Sequence, residues 1–172
     1  HFQAAAKYDP DDPYASRMLG WLAFLDGPPA DALTHYRQAD ADDPYSAKLN
    51  YQMGLALAKL ERWPDAVERL RQSVTIDPQG MQAMVMLSQA LRQSSQLEES
   101  IAYAKKAAQL SGYQEPEVVV NLSDSYAAAG QWNEAIQAAE KGLAAAQSHR
   151  PRMVPQLRQR LDDYRNRRGK ER

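Results

Sequence analysis

The carboxylates and histidines are the first side chains to weigh for chemistry. Glu98-Glu99 and Asp162-Asp163 are adjacent acid pairs with the makings of a general acid–base dyad. A dyad needs both carboxylates aimed at one bond, and neighbouring residues on a helix do not share a face. The pairs therefore read as the acidic start of a helix and as a solvated face. Asp11-Asp12 and the run Asp40 to Asp43 offer oxygen ligands for calcium. They fall where helices end and begin, and carboxylates there serve as caps. His1, His35 and His149 are too widely separated to form a helical metal pair, and the absence of cysteine excludes disulfides and thiolate chemistry. No glycine-rich phosphate loop and no Gly-x-Ser-x-Gly elbow occurs. The expectation is a non-enzymatic chain with no catalytic residue, cofactor or metal.

Composition points the same way. A formal net charge of -1 over 172 residues argues against a dedicated nucleic-acid binder. The apolar runs are too short for a membrane span, and no signal peptide is visible. The chain starts at His1 rather than Met, which reads as a fragment of a longer protein. Its compartment is left open between cytoplasm and periplasm.

The positioning elements are set by a repeat. Asp-Pro recurs at Asp9-Pro10, Asp43-Pro44 and Asp77-Pro78, a constant step of 34 residues that next reaches Gly112. Small residues keep the register at Gly20, Gly54, Ser88 and Ser123, and again at Ala32, Ala66, Ser100 and Ala135. Trp63, Leu97 and Trp132 form another column, and one extra residue is absorbed before Pro116. Fixed periods of this length mark stacked supersecondary units.

Within each unit apolar residues recur at steps of three and four, the signature of amphipathic helix. In the second unit Leu49, Met53, Leu57 and Leu60 mark one helix, and Val67, Leu70 and Val74 the next. Pro64 and Pro116 suit first turns of helices, and Asp-Pro closes units because proline disfavours helix in the residue before it. The spacing predicts helix pairs at Tyr14–Leu25 with Ala30–Ala41, Ser46–Leu60 with Pro64–Ile76, Met81–Gln93 with Leu97–Leu110, and Pro116–Ala129 with Trp132–Gln147. A leftover second helix at His1–Tyr8 precedes them and a helix near Pro151–Arg168 follows. The small columns let the two helices of each unit approach closely, with Leu19, Met53, Leu87 and Leu122 filling space between neighbours.

This pattern resembles the tetratricopeptide repeat family. Leu19-Gly20, Ala32, Tyr36, Ala39 and Pro44 match its motif in the first unit, and Met53-Gly54, Ala66, Ser73 and Pro78 in the second. The third retains Leu87-Ser88, Ser100, Ala107 and Gly112, and the fourth Leu122-Ser123, Tyr126, Ala135 and Gly142. The family tryptophan is replaced by Ser16, Asn50, Met84 and Val119. The resemblance implies an all-α solenoid, a right-handed superhelix of about four helix-turn-helix units. In that arrangement residues 1–12 are a half repeat, 13–46, 47–80, 81–115 and 116–149 are repeats, and 150–172 is a capping helix with a basic tail.

It also implies a concave face lined by first helices and a role as a protein–protein interaction scaffold. The candidate groove residues are Tyr14, Arg17, Trp21, Lys48, Tyr51, Gln52, Leu55, Gln82, Val85, Met86, Gln89, Asn121 and Asp124, with Phe24, Leu25, Lys59, Arg92, Glu117 and Val120 nearby. This surface is aromatic and basic towards its N-terminal end and acidic towards its C-terminal end. The expected partner is a protein or peptide, not nucleic acid or a membrane interior. Trp21, Phe24 and Leu25 would equally suit packing on a preceding unit, and an exposed stack end would favour self-association. The family's clamp for chaperone tails uses positions occupied here by Arg17, Trp21, Gln52, Gln82 and Met86, which do not match it. The alternative role is a C-terminal recruiting region of a larger enzyme or membrane protein, since some family members sit at the ends of transferases or sulfatases.

Residues 150–172 carry nine Arg or Lys against Asp162, Asp163 and Glu171, a balance of +6 that leaves -7 for the remainder. Met153, Leu157, Leu161 and Tyr164 form one apolar stripe. The stripe predicts a cap on the last repeat, with its charged face in water. An anionic surface as partner is the sharper alternative.

Overall fold

The computed structural model describes residues 13–170. The helix expected at His1–Tyr8, the Asp9-Pro10 pair and Asp11-Asp12 lie outside the described residues. Among those residues the chain is helical throughout, with no strand. The helices are α1 (Pro13–Asp26), α2 (Pro29–Asp42), α3 (Ala47–Lys59), α4 (Trp63–Ile76), α5 (Met81–Gln93), α6 (Leu97–Leu110), α7 (Pro116–Ala128), α8 (Trp132–His149) and α9 (Val154–Lys170). A short 3-10 turn, Pro151–Met153, precedes α9. The sequence spacing placed the two helices of the third unit without error and the others to within one or two residues, apart from the final helix. There Pro151 opens the 3-10 turn instead of α9.

The chain divides into two compact units, residues 1–86 and 87–172, with the boundary inside α5. In the first, α1 packs on α2, α2 on α3, and α3 on α4. In the second, α6 packs on α7, α7 on α8, and α8 on α9.

Glycine is required at the helix crossings of the first unit. A Cβ on Gly20 would stand 2.5 Å from Cδ1 and Cε1 of Tyr36. One on Gly54 would stand 2.5 Å from Cγ of Leu70. Tyr36 and Leu70 are fully enclosed, so neither can move aside without opening the core. Ala32, Ala66, Ser100 and Ala135 are all completely buried, as close approach demands. The positions where the family carries tryptophan, held here by Ser16, Asn50, Met84 and Val119, are also core.

The turns inside the second, third and fourth repeats share one geometry. Glu61, Ser95 and Gly130 adopt left-handed backbone, with φ of 56°, 60° and 71°. The following N–H groups of Arg62, Gln96 and Gln131 donate back to the carbonyls of Leu57, Leu91 and Tyr126. These are Schellman closures, which satisfy the last carbonyls of a helix. Gly112 and Tyr113 (φ 57° and 60°) close α6 in the same manner. The Asp-Pro signals act as expected: Asp43 and Asp77 are the caps that end α2 and α4.

The last helix buries its stripe. Leu161 and Tyr164 join Ala135, Ile136 and Ala139 of α8 in one apolar cluster, and Leu157 is enclosed as well. Several of its cations are spent on the neighbouring repeat. Arg160 pairs with Asp124 and Arg165 with Glu140, and Arg167 lies over the Trp132 ring; Arg150, just before the 3-10 turn, pairs with Glu117.

Candidate functional site

The first-helix residues of unit 1 come from α1, α3 and the start of α5. On α1, Trp21 stacks on Phe24 with ring centroids 5.4 Å apart. The spacing i, i+3 puts both rings on one side of the helix. Lys59, in the last turn of α3, sets its Nζ 4.0 Å from the Phe24 ring centroid. The same ammonium donates a 2.9 Å hydrogen bond to the Phe24 carbonyl. The two helices are thereby tied together at the open side of the aromatic pair. Leu25 is 54% exposed and Tyr14 55%, with Arg17 over the Tyr14 ring. Tyr14 and Arg17 also line a pocket of about 210 Å³ with Ala39, Asp43, Ser46 and Leu49.

On α3, Lys48 is exposed, and Tyr51 and Leu55 are half-buried. Burial raises the Tyr51 phenol above its ordinary pKa, so the ring stays a neutral hydrogen-bonding group. Gln52 is only 5% exposed, and its Oε1 has no hydrogen-bond partner among the described residues. On α5, Gln82 is exposed while Val85 and Met86 are half-buried.

In unit 2 the candidates have different surroundings. Gln89 is half-buried. Asn121 is 3% exposed and committed internally, its Nδ2 donating to Ser88 Oγ at 3.1 Å and its Oδ1 accepting from Arg92 at 3.3 Å. Asp124 accepts from both the Arg160 guanidinium and the Tyr164 hydroxyl. With Glu117 paired to Arg150 at 3.6 Å, the acids expected at this end are already matched by cations of the chain itself.

Sequence reading gave no sign of the polar network beneath Asn121. Ser88, Ser100 and Ser125 are fully buried, with their hydroxyls 3.0–3.2 Å from one another. Ser88 and Ser100 were legible only as small residues of two separate columns, and no spacing links them to Asn121 and Ser125. A second site off the first helices was also missed. Tyr45, Ile76, Arg69 and Glu68 help line a pocket of about 530 Å³ on the α2–α4 side. There Arg69 bridges Asp40 at 2.8 Å and Asn50 at 3.3 Å. Among the described residues no group of carboxylates and histidines is arranged to hold a metal, and no helix is long and apolar enough to cross a membrane.

Helical hairpins in fixed register, closed by small residues at each crossing, define an all-α solenoid of the interaction-scaffold type. The family model described as tetratricopeptide repeat matches residues 1–47 and 51–115, more than half of the chain. The chain belongs to the tetratricopeptide repeat family. Solved structures agree on the fold. MamA residues 41 to the end, from Desulfovibrio magneticus RS-1, superposes with a TM-score of 0.74 at 18% identity, covering 92% of this chain and 90% of that one. YrrB, a tetratricopeptide repeat protein with an unusual peptide-binding site, gives 0.76 at 18% identity over 86% and 76%. PilW, a type IV pilus biogenesis factor, gives 0.76 at 19% over 95% and 79%. No curated protein sequence matches the chain.

Proposed function

We propose that the first-helix face of unit 1 grips a peptide segment of a partner protein, with apolar anchors of that peptide against Trp21 and Tyr51. The observation that carries this reading is the Trp21–Phe24 stack, fixed by Lys59 and left partly open to solvent beside an exposed Leu25. Aromatic surface that is already ordered gains contact area at little entropic cost, which is why such residues dominate interface energetics. Arg17, Lys48 and Lys59 place positive charge around the apolar patch and favour a peptide with acidic flanks. A peptide-binding site on YrrB, a protein of the same fold, is consistent with this use of the architecture.

The test is Trp21→Ala combined with Tyr51→Ala. Peptides selected from a random library on the whole chain should lose at least about tenfold in affinity for the double variant, or roughly 1.4 kcal/mol, while helicity is unchanged. Unaltered affinity would remove the reading.

A further inference from the structure

Arg92 is a poorly compensated cation on the first-helix side of unit 2. It lies in the last turn of α5 and is partly buried. Its Nη1 donates to two uncharged oxygens, Ser125 Oγ at 3.1 Å and Asn121 Oδ1 at 3.3 Å. Among the described residues these are its hydrogen bonds, and both use the same nitrogen. A guanidinium carries five N–H donors in a rigid fork, so Nε and Nη2 are left without a protein acceptor among the described residues.

The acid within electrostatic reach offsets that burial only in part, because other groups hold it. Asp124 is bound by Arg160 and by the Tyr164 hydroxyl. Glu117 and Glu140 face Arg150 and Arg165. The local group of Arg92, Arg160 and Asp124 therefore holds two cations against one anion, since Tyr164 is kept neutral by burial. Desolvation is the leading influence on Arg92 and opposes its charge; Asp124 offsets part of it, and the Arg160 guanidinium opposes the charge further. A partly buried charge is costly until an ion with matching hydrogen-bond geometry meets it.

The platform under Arg92 is rigid. Ser125 Oγ donates to the Asn121 carbonyl at 2.9 Å and is in turn 3.0 Å from Ser100 Oγ, which donates to it. Asn121 is held by Ser88. The fork is thus presented in one orientation, as bidentate recognition requires. Arg92 is not among the positions that the family's chaperone-tail clamp uses.

We propose that Arg92, seated on Asn121 and Ser125, binds the carboxylate of an Asp or Glu side chain in the partner peptide. This rests on the peptide-binding reading above and assigns to unit 2, taken by itself, recognition of an acidic side chain of the partner.

The experiment is NMR of the whole chain, following the Arg92 Nε–Hε resonance. Titrants are N-acetyl-glutamate amide, its glutamine counterpart, N-acetylglycine as a C-terminal carboxylate, and inorganic phosphate. A saturable shift with the glutamate probe and none with glutamine is expected, and Arg92→Lys should weaken that binding by about tenfold because it keeps charge but loses the fork. Equal shifts with glutamate and glutamine, or no shift with either, would overturn the proposal. So would a response confined to phosphate or to N-acetylglycine. These single-residue probes do not engage Trp21 or Tyr51, so their outcome is independent of the double-variant test. The wild-type titration stands even if an Arg92 variant folds poorly.

Discussion

Gly20→Ala sets two effects of known sign against each other. In a helix interior alanine is preferred to glycine by about 1 kcal/mol. At Gly20, however, the new methyl would meet the Tyr36 ring at 2.5 Å, and comfortable carbon contacts need about 3.5–4.0 Å. Ring or helix must yield by roughly 1 Å. Tyr36 is rigid and fully enclosed, so α1 and α2 have to part. An overlap this large against an enclosed ring belongs in the upper part of the usual overpacking range, about 2–3 kcal/mol, leaving a net loss of about 1–2 kcal/mol after the helical gain. Gly142→Ala is the matched control. It lies in the interior of α8, and its methyl would find Val119 atoms at 3.5 and 3.6 Å, ordinary contact distances. The helical gain should survive there, giving about 0.5–1 kcal/mol of added stability. Urea denaturation followed by far-ultraviolet circular dichroism measures both. The midpoint should fall for Gly20→Ala and rise for Gly142→Ala, with the slope unchanged. A Gly20→Ala variant as stable as the parent would refute the close crossing of α1 and α2.

The turns make a second pair. Glu61→Gly and Ser95→Gly relieve left-handed strain and should each stabilise by up to about 1 kcal/mol, whereas Gly130→Ala should cost about as much; thermal melts distinguish these signs. Tyr36 supplies a third. Its hydroxyl is buried without a partner and its phenol is pushed far above the ordinary range by burial, with Arg17 partly opposing. Tyr36→Phe should therefore gain about 1 kcal/mol at neutral pH. Above about pH 10 the unfolded chain releases this proton while the folded chain retains it, so stability falls as pH rises. Urea titrations at alkaline pH should show a shallower fall for Tyr36→Phe. Lastly, Leu161→Ala removes a core side chain from the α8–α9 contact and should cost about 2–5 kcal/mol by the same denaturation assay.

Much of the fold was legible because repetition multiplies weak signals. The Asp-Pro pairs, the Gly20 and Ala32 columns and the steps of three and four each give modest information, but all report one register. Helix ends drifted by a residue or two with or without a capping side chain: α3 begins one residue late although the Ser46 hydroxyl caps it. Pro28 before α2 and Arg62 before α4 make no side-chain capping bond. The binding face was only partly legible. Periodicity tells which side of α3 bears Tyr51, but not that the adjacent Gln52 is buried or that Lys59 reaches the Phe24 carbonyl 35 residues away. Charge was the least readable property. Asp124 counts as an acid in the sequence, yet Arg160 and Tyr164 arrive from a helix 36 and 40 residues later, while the hydrogen-bond partners of Arg92 among the described residues are uncharged. Pairing across such distances depends on how helices pack, which no local spacing records.

Binding depends on which side of the helical hairpins meets the partner. Chemical-shift mapping of the isotope-labelled chain with a library-selected peptide addresses this directly. Perturbations should gather on α1, α3 and α5, at Trp21, Phe24, Tyr51, Leu55 and Val85. Perturbations gathered instead on the α2–α4 side, at Tyr45, Glu68 and Ile76, would contradict it.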